Sequence, residues 1–168
     1  MTKKENKIKT EIQRVNGYLR EIITFFDETG KPISHIVNPL MVELKPRDMA
    51  QIFIGALLVA TPLCFTEEVW VLSERLPFIN IAYLMICSIV TVTLFVFFNF
   101  YRYKLAGHVV EFFKRIVAIY FISTLSVVLV LFLIDKFPIE TTPDIALKRI
   151  ILIGFPAIFG ATIADYLK

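Results

Sequence analysis

Residues 78–98 read FINIAYLMICSIVTVTLFVFF, 21 residues without one acidic or basic side chain. About 20 apolar residues cross a hydrocarbon core, within a range of roughly 17–25. The stretch therefore predicts a membrane-spanning helix, and the rest of the chain is read outward from it. Downstream, Ile116–Ile134 has the same character. Upstream, Met49–Phe65 is interrupted only by Gln51, Thr61 and Pro62, and reaches spanning length if the helix runs on through Thr66–Trp70. Ile150–Ala164 is short alone and takes Ile145–Arg149 as its first turns. These runs predict an all-α membrane protein with four transmembrane helices, at about residues 49–72, 78–101, 112–134 and 145–166.

Composition agrees. The chain has 168 residues, 57% of them apolar and 14% aromatic, with mean hydropathy +0.69. Ordinary globular domains are about 45–50% apolar. The excess argues against a soluble protein, and so rich an apolar content excludes disorder. Cys64 and Cys87 both lie in apolar runs, which argues against a disulfide framework. The N-terminus lacks the apolar core and small-residue cleavage site of a signal peptide. Two domains are expected: a polar segment 1–46 and a transmembrane domain 47–168.

Lys and Arg set the expected orientation. Fourteen fall on the side of the N-terminus and four on the other. The bias places both termini in the cytoplasm, of a prokaryotic plasma (inner) membrane. Trp70, Tyr101 and Tyr103 stand where an aromatic belt is expected. In residues 7–26, Ile8, Ile12, Val15, Leu19, Ile22 and Phe26 recur at helical spacing and predict a short cytoplasmic amphipathic helix, stopping near Asp27-Glu28-Thr29-Gly30. The stretch 31–44 suggests a possible β-hairpin turning at Asn38-Pro39. A stripe of mostly Ile and Val beside mixed charges favours packing against protein over a membrane surface, hence a homo-oligomer.

The segment Ala60-Thr61-Pro62-Leu63-Cys64-Phe65-Thr66-Glu67-Glu68-Val69-Trp70 carries the chemistry. Carboxylates in a membrane helix are costly and usually functional. If several copies surround an axis, one glutamate per copy forms a ring that selects cations. Glu68 is the first candidate and Glu67 the second, with Thr61 as the next polar ring. Pro62 supplies a kink, and apolar rings at Leu57 or Ile54 could close the path by dewetting. The plain alternative is a pair of interfacial carboxylates marking a helix end, with Trp70 as anchor. Ser88, Thr91 and Asn99 share a face of the second span, and Asp165 lies near the end of the fourth. They are secondary candidates for a polar path, although Ser88, Thr91 and Asn99 read equally as interhelical hydrogen-bonding groups and Asp165 as the partner of Lys168. Glu111 has Lys114 and Arg115 at pairing distance. Ala157/Ala161 and Gly160/Ala164 let the last helix approach a neighbour closely.

No catalytic residues, metal site or cofactor are expected. His35 and His108 lack Cys or acidic neighbours at ligand spacing, and no nucleophile elbow, metalloprotease or dinucleotide fingerprint occurs. The bases interleave with acids, so no nucleic-acid partner is expected. The expected partners are the lipid bilayer, further copies of the chain and an inorganic cation.

The pattern Gly55-Ala56-Leu57-Leu58…Thr61-Pro62-Leu63…Thr66-Glu67-Glu68-Val69-Trp70, with Pro156-Ala157…Gly160-Ala161, resembles a family of small prokaryotic integral membrane proteins without an assigned function. The likeness covers about residues 47–166. It implies a four-helix membrane fold and no reaction. Members carry one acid beside the Trp, which favours a single glutamate over a two-glutamate mechanism. The preferred expectation is an oligomeric cation channel. The alternatives are a non-conducting assembly, sensor or partner protein and a small secondary transporter.

Overall fold

The computed structural model describes residues 8–15, 18–26, 30–39, 43–102, 108–140 and 142–167. The chain divides into two compact units, Met1–Glu43 and Leu44–Lys168.

The first unit is a three-stranded antiparallel meander in the order β1 (Ile8–Val15), β2 (Tyr18–Phe26) and β3 (Pro32–Pro39). The helix expected over 7–26 is therefore corrected to two strands. Two features outweigh the helical spacing. The stretch is dense in β-branched residues, which fit a pleated surface. Val15 pairs with Tyr18, so β1 and β2 are joined across the dipeptide Asn16-Gly17, the strongest short hairpin signal in a sequence. The hairpin expected around Asn38-Pro39 is corrected as well, because Pro32–Pro39 is one strand paired along β2. Leu40, Met41 and Val42, which would have formed its return strand, lie outside the described residues, as do Asp27, Glu28 and Thr29. Gly30 has φ +76°, the left-handed region that glycine enters without strain. In register, Ile22 faces Val37, Ile23 faces Ile36 and Thr24 faces His35. Thr24 Oγ1 and His35 Nδ1 share a hydrogen bond of 3.1 Å. Ile33, Ile36 and Val37 are exposed.

The second unit is helical: α1 (Pro46–Cys64), α2 (Glu67–Arg75), α3 (Phe78–Val96, continued by a π-turn at Phe97–Tyr101), α4 (Val109–Leu133) and α5 (Pro143–Tyr166). Four of them are long and apolar enough to cross a membrane: Pro46–Cys64, Phe78–Tyr101, Val109–Leu133 and Pro143–Tyr166. The first span does not run to residue 72. Pro62 withdraws one backbone donor and crowds the carbonyl of Leu58, and α1 ends at Cys64. Thr66 then adopts an extended backbone (φ −93°, ψ 129°) and opens the separate helix α2. Its N–H and its hydroxyl both reach the Leu63 carbonyl, at 3.2 and 2.8 Å, so the break leaves no orphaned carbonyl there.

The helix α5 packs against each of the other four helices, and half of its span is buried. Its closest partner is α1. A Cβ added to Gly160 would stand 2.5 Å from Val59 Cγ2 and 2.8 Å from the Gly55 carbonyl oxygen; one added to Gly55 would stand 2.5 Å from the Ala164 Cβ. The two backbones therefore touch at a glycine pair, flanked by the fully buried Ala56, Ala60, Ala157 and Ala161. Beyond this crossing, Cys64, Val127, Leu131 and Ile153 fill the core.

Candidate functional site

Among the described residues, the charged side chains of the helical unit gather at its two ends. At one end, α1 and α4 begin while α3 and α5 finish. Arg115 of α4 is fully buried and bonds the carboxylate of Asp165 in α5 at 2.6 Å (Nη1 to Oδ2). Its second terminal nitrogen lies 3.5 Å from Asp48 Oδ2 in α1. Asp48 is 2% exposed and also accepts the Lys45 backbone N–H at 3.2 Å, capping α1. The π-turn of α3 brings Phe100 and Tyr101 inward together. The Arg115 guanidinium sits 4.3 Å from the Phe100 ring centre, and the fully buried Tyr101 interacts with the same guanidinium. One arginine thus ties all four spans. Glu111 pairs with Lys114 at 3.2 Å and leaves Arg115 to turn inward.

At the opposite end a second arginine does related work. Arg149 of α5 donates to Ser73 Oγ (3.2 Å), the Lys136 carbonyl (2.9 Å) and Glu74 (3.4 Å). These bonds strap α2 and the α4–α5 turn onto α5. Asp135 takes φ +55°, and the Lys136 N–H returns to Leu131 at 2.9 Å, a left-handed helix end. Trp70 donates to the Cys64 carbonyl at 3.1 Å and carries the Lys136 ammonium 4.5 Å above its ring. Lys148 bonds the Leu76 carbonyl at 2.8 Å.

Between the ends, three hydroxyls bond nearby backbone carbonyls. Ser126 and Thr162 bond the carbonyls four residues back, at 2.8 and 2.7 Å. Ser88 donates to the Met85 carbonyl and so accepts from Tyr120, both at 2.9 Å. That pair and Thr124 edge a crevice of about 80 Å³ between α3, α4 and α5. The buried Ser123 hydroxyl has no partner among the described residues.

The sequence-predicted residues are dispersed. Glu67 and Glu68 are exposed in the first turn of α2, where the free N–H groups of a helix start favour acids. They do not continue the face of α1 that carries Thr61, as an unbroken helix would require. Thr61 and Ile54 are exposed, whereas Leu57 packs against the core, so Ile54 and Leu57 do not share an outward face. Ser88 is buried, Thr91 is exposed, and Asn99 is exposed and donates to the Phe95 carbonyl at 2.8 Å. These three do not converge, and Asp165 belongs to the Arg115 tie. Lys168, its expected partner, and Tyr103 lie outside the described residues. Asp48, Tyr101, Arg115 and Arg149 were not anticipated as a site. The available signal was a base six residues inside α4, directly before the apolar run that starts at Ile116, since charges in spans pair inward. Among the described residues, no three His, Cys, Asp or Glu stand together as metal ligands.

A bundle of four apolar helices with its charges paired inward defines an integral membrane protein. Residues 30–166 match the model of the family described as "Putative integral membrane protein (DUF2391)", and the chain belongs to that family. No curated protein matches the chain. No solved structure matches it.

Proposed function

We propose that the protein is a non-conducting membrane partner protein, with its termini in the cytoplasm of a prokaryotic plasma membrane. Its bundle would act as a rigid anchor, and its three-stranded sheet would meet the partner. The observation that carries this reading is the tie at each end of the bundle, with a close-packed apolar layer between them. Arg115 joins four helices at one end. Arg149 straps α2 at the other, and the Gly55–Gly160 crossing leaves no room for a side chain between α1 and α5. Such packing favours one static arrangement over an opening path. The exposed Ile33, Ile36 and Val37 supply apolar surface on the sheet, and the fourteen-to-four distribution of bases supports the orientation.

A second reading keeps a cation channel, with its path between copies of the chain. One observation favours it: Glu67 and Glu68 are exposed at one end, and among the described residues neither meets a side-chain partner. In a homo-oligomer, Glu68 and then Glu67 would form the selecting carboxylates, with Thr61 as a further polar ring. Flux of Na⁺, K⁺ and protons through the purified chain in liposomes separates the two. The partner reading expects flux equal to that of empty liposomes. Flux that falls in Glu67→Gln or Glu68→Gln, with folding unchanged, replaces it with the channel.

A further inference from the structure

We propose that the groove between the start of α1 and the outer face of α4 is a seat for one anionic phospholipid. The groove has a volume of about 620 Å³, within the range of about 300–1,000 Å³ typical of ligand clefts. Its walls are almost wholly apolar: Leu44 and Met49 on one side, and Val110, Phe113, Val117 and Phe121 on the other. The last three recur four residues apart and are 59%, 63% and 68% exposed, so they form one bilayer-facing stripe along α4. From Val110 to Ile122 the groove runs about 18 Å at 1.5 Å per residue. That is close to the depth of one leaflet, about half of a 30 Å hydrocarbon core. Length and lining therefore suit an acyl chain lying along α4.

Charge selects the headgroup. Among the described residues, the only ionisable side chain in the groove wall is Lys114, near the end where α1 and α4 begin. Its side chain is 61% exposed and its ammonium gives one contact to Glu111, at 3.2 Å. An ammonium has three donors, so two remain for a phosphate, while Glu111 disfavours an anion and sets a limit on affinity. Arg47 is exposed at the head of α1 but stands about 200° around the helix from the groove residue Met49, outside the groove. A long Lys stem snorkels readily to headgroup level. A base between spans at that level attracts an anionic headgroup.

The test uses the full chain in micelles doped with phosphatidylglycerol or with phosphatidylcholine of the same acyl chains, with retained lipid counted by native mass spectrometry. The wild type is expected to keep one phosphatidylglycerol in preference to phosphatidylcholine. Lys114→Gln should weaken that preference about fivefold, the effect of one base near an anionic surface. Arg75→Gln, at the other end of the bundle, should leave it unchanged. Val117→Trp, which fills an exposed position of the groove, should reduce retention of both lipids; Ala118→Phe serves the same purpose if Val117→Trp misfolds. Equal retention of the two lipids by the wild type overturns the proposal. So does an Arg75→Gln effect as large as that of Lys114→Gln, or unchanged retention in the groove-filling variants. Disulfide crosslinking between copies through Val117→Cys would assign the groove to a second copy instead.

Discussion

The two ends of the helical bundle each hold an arginine from a membrane-spanning helix, yet they differ in how they satisfy it. Arg115 and its carboxylates Asp48 and Asp165 are withdrawn from solvent, at 0%, 2% and 0% exposure. Arg149 is 10% exposed and shares its bonds between Ser73, a backbone carbonyl and Glu74, whose side chain is 55% exposed. The first end exchanges water for charge partners on three helices and aromatic rings on another. The second keeps one foot in solvent and ties down only the short helix α2 and a turn. The first is therefore a keystone of the fold, and the second a local strap. In a buried ion cluster, loss of the cation strands the anions; at a wet strap, water replaces what is lost.

The sharpest way to break that comparison is Arg115→Met. Removing one member of a buried ion pair costs about 3–5 kcal/mol, and here two carboxylates lose their partner. Equilibrium unfolding in detergent should show the loss. The triple variant Asp48→Asn, Arg115→Met, Asp165→Asn should recover most of it, because uncharged groups carry a smaller desolvation penalty. A single variant as stable as wild type would remove the keystone role.

Arg149→Met should cost less, about 1.5–3 kcal/mol for hydrogen bonds made by a charged group. The damage should stay local. Amide exchange is expected to quicken in Glu67–Arg75 while α4 residues around Arg115 keep their protection. A loss equal to that of Arg115→Met would put the two ends on the same footing.

The spans were legible in the sequence because membrane crossing is a matter of apolar length, and Phe78–Phe98 meets that test without help from its neighbours. The break after α1 was not legible, since hydropathy runs on past Pro62 while backbone geometry does not. The sheet was misread because Ile8, Ile12, Val15, Leu19, Ile22 and Phe26 satisfy a helical period by spacing alone. Asn16-Gly17, which sits inside that period, carried the contrary signal. The Arg115 tie was out of reach because its partners lie 50 and 67 residues away, and Glu111 offered Arg115 a nearer but unused match. Pairings that close over such distances are decided by packing, and packing here begins with the α1–α5 crossing.

That crossing lies between the two ends and sharpens the comparison by a third variant. Gly160→Val should cost about 1–3 kcal/mol through overpacking, because its Cβ would meet the Gly55 carbonyl oxygen at 2.8 Å. Gly154→Ala, in the same helix, should be neutral or stabilising by up to about 1 kcal/mol, since nothing lies within 4 Å of the added carbon. Thermal unfolding of the pair in one detergent isolates close approach from helix propensity. Equal effects would mean that α1 and α5 can separate without loss.

The smallest change in stability is expected at the wet end. Glu67→Gln and Glu68→Gln should shift unfolding by no more than about 0.5 kcal/mol, as exposed substitutions do. Both residues stand in the first turn of α2, and neither is engaged by Arg149, which takes Glu74 instead. That near-neutrality makes them clean probes. A change in stability would have confounded any flux measurement, whereas a variant that folds like wild type reports on the carboxylate alone. If the bundle is an anchor, both variants leave liposomes as tight as before. If copies of the chain enclose a path, the glutamate on its axis lowers flux or cation preference when neutralised and its neighbour does not, because successive residues of a helix point about 100° apart.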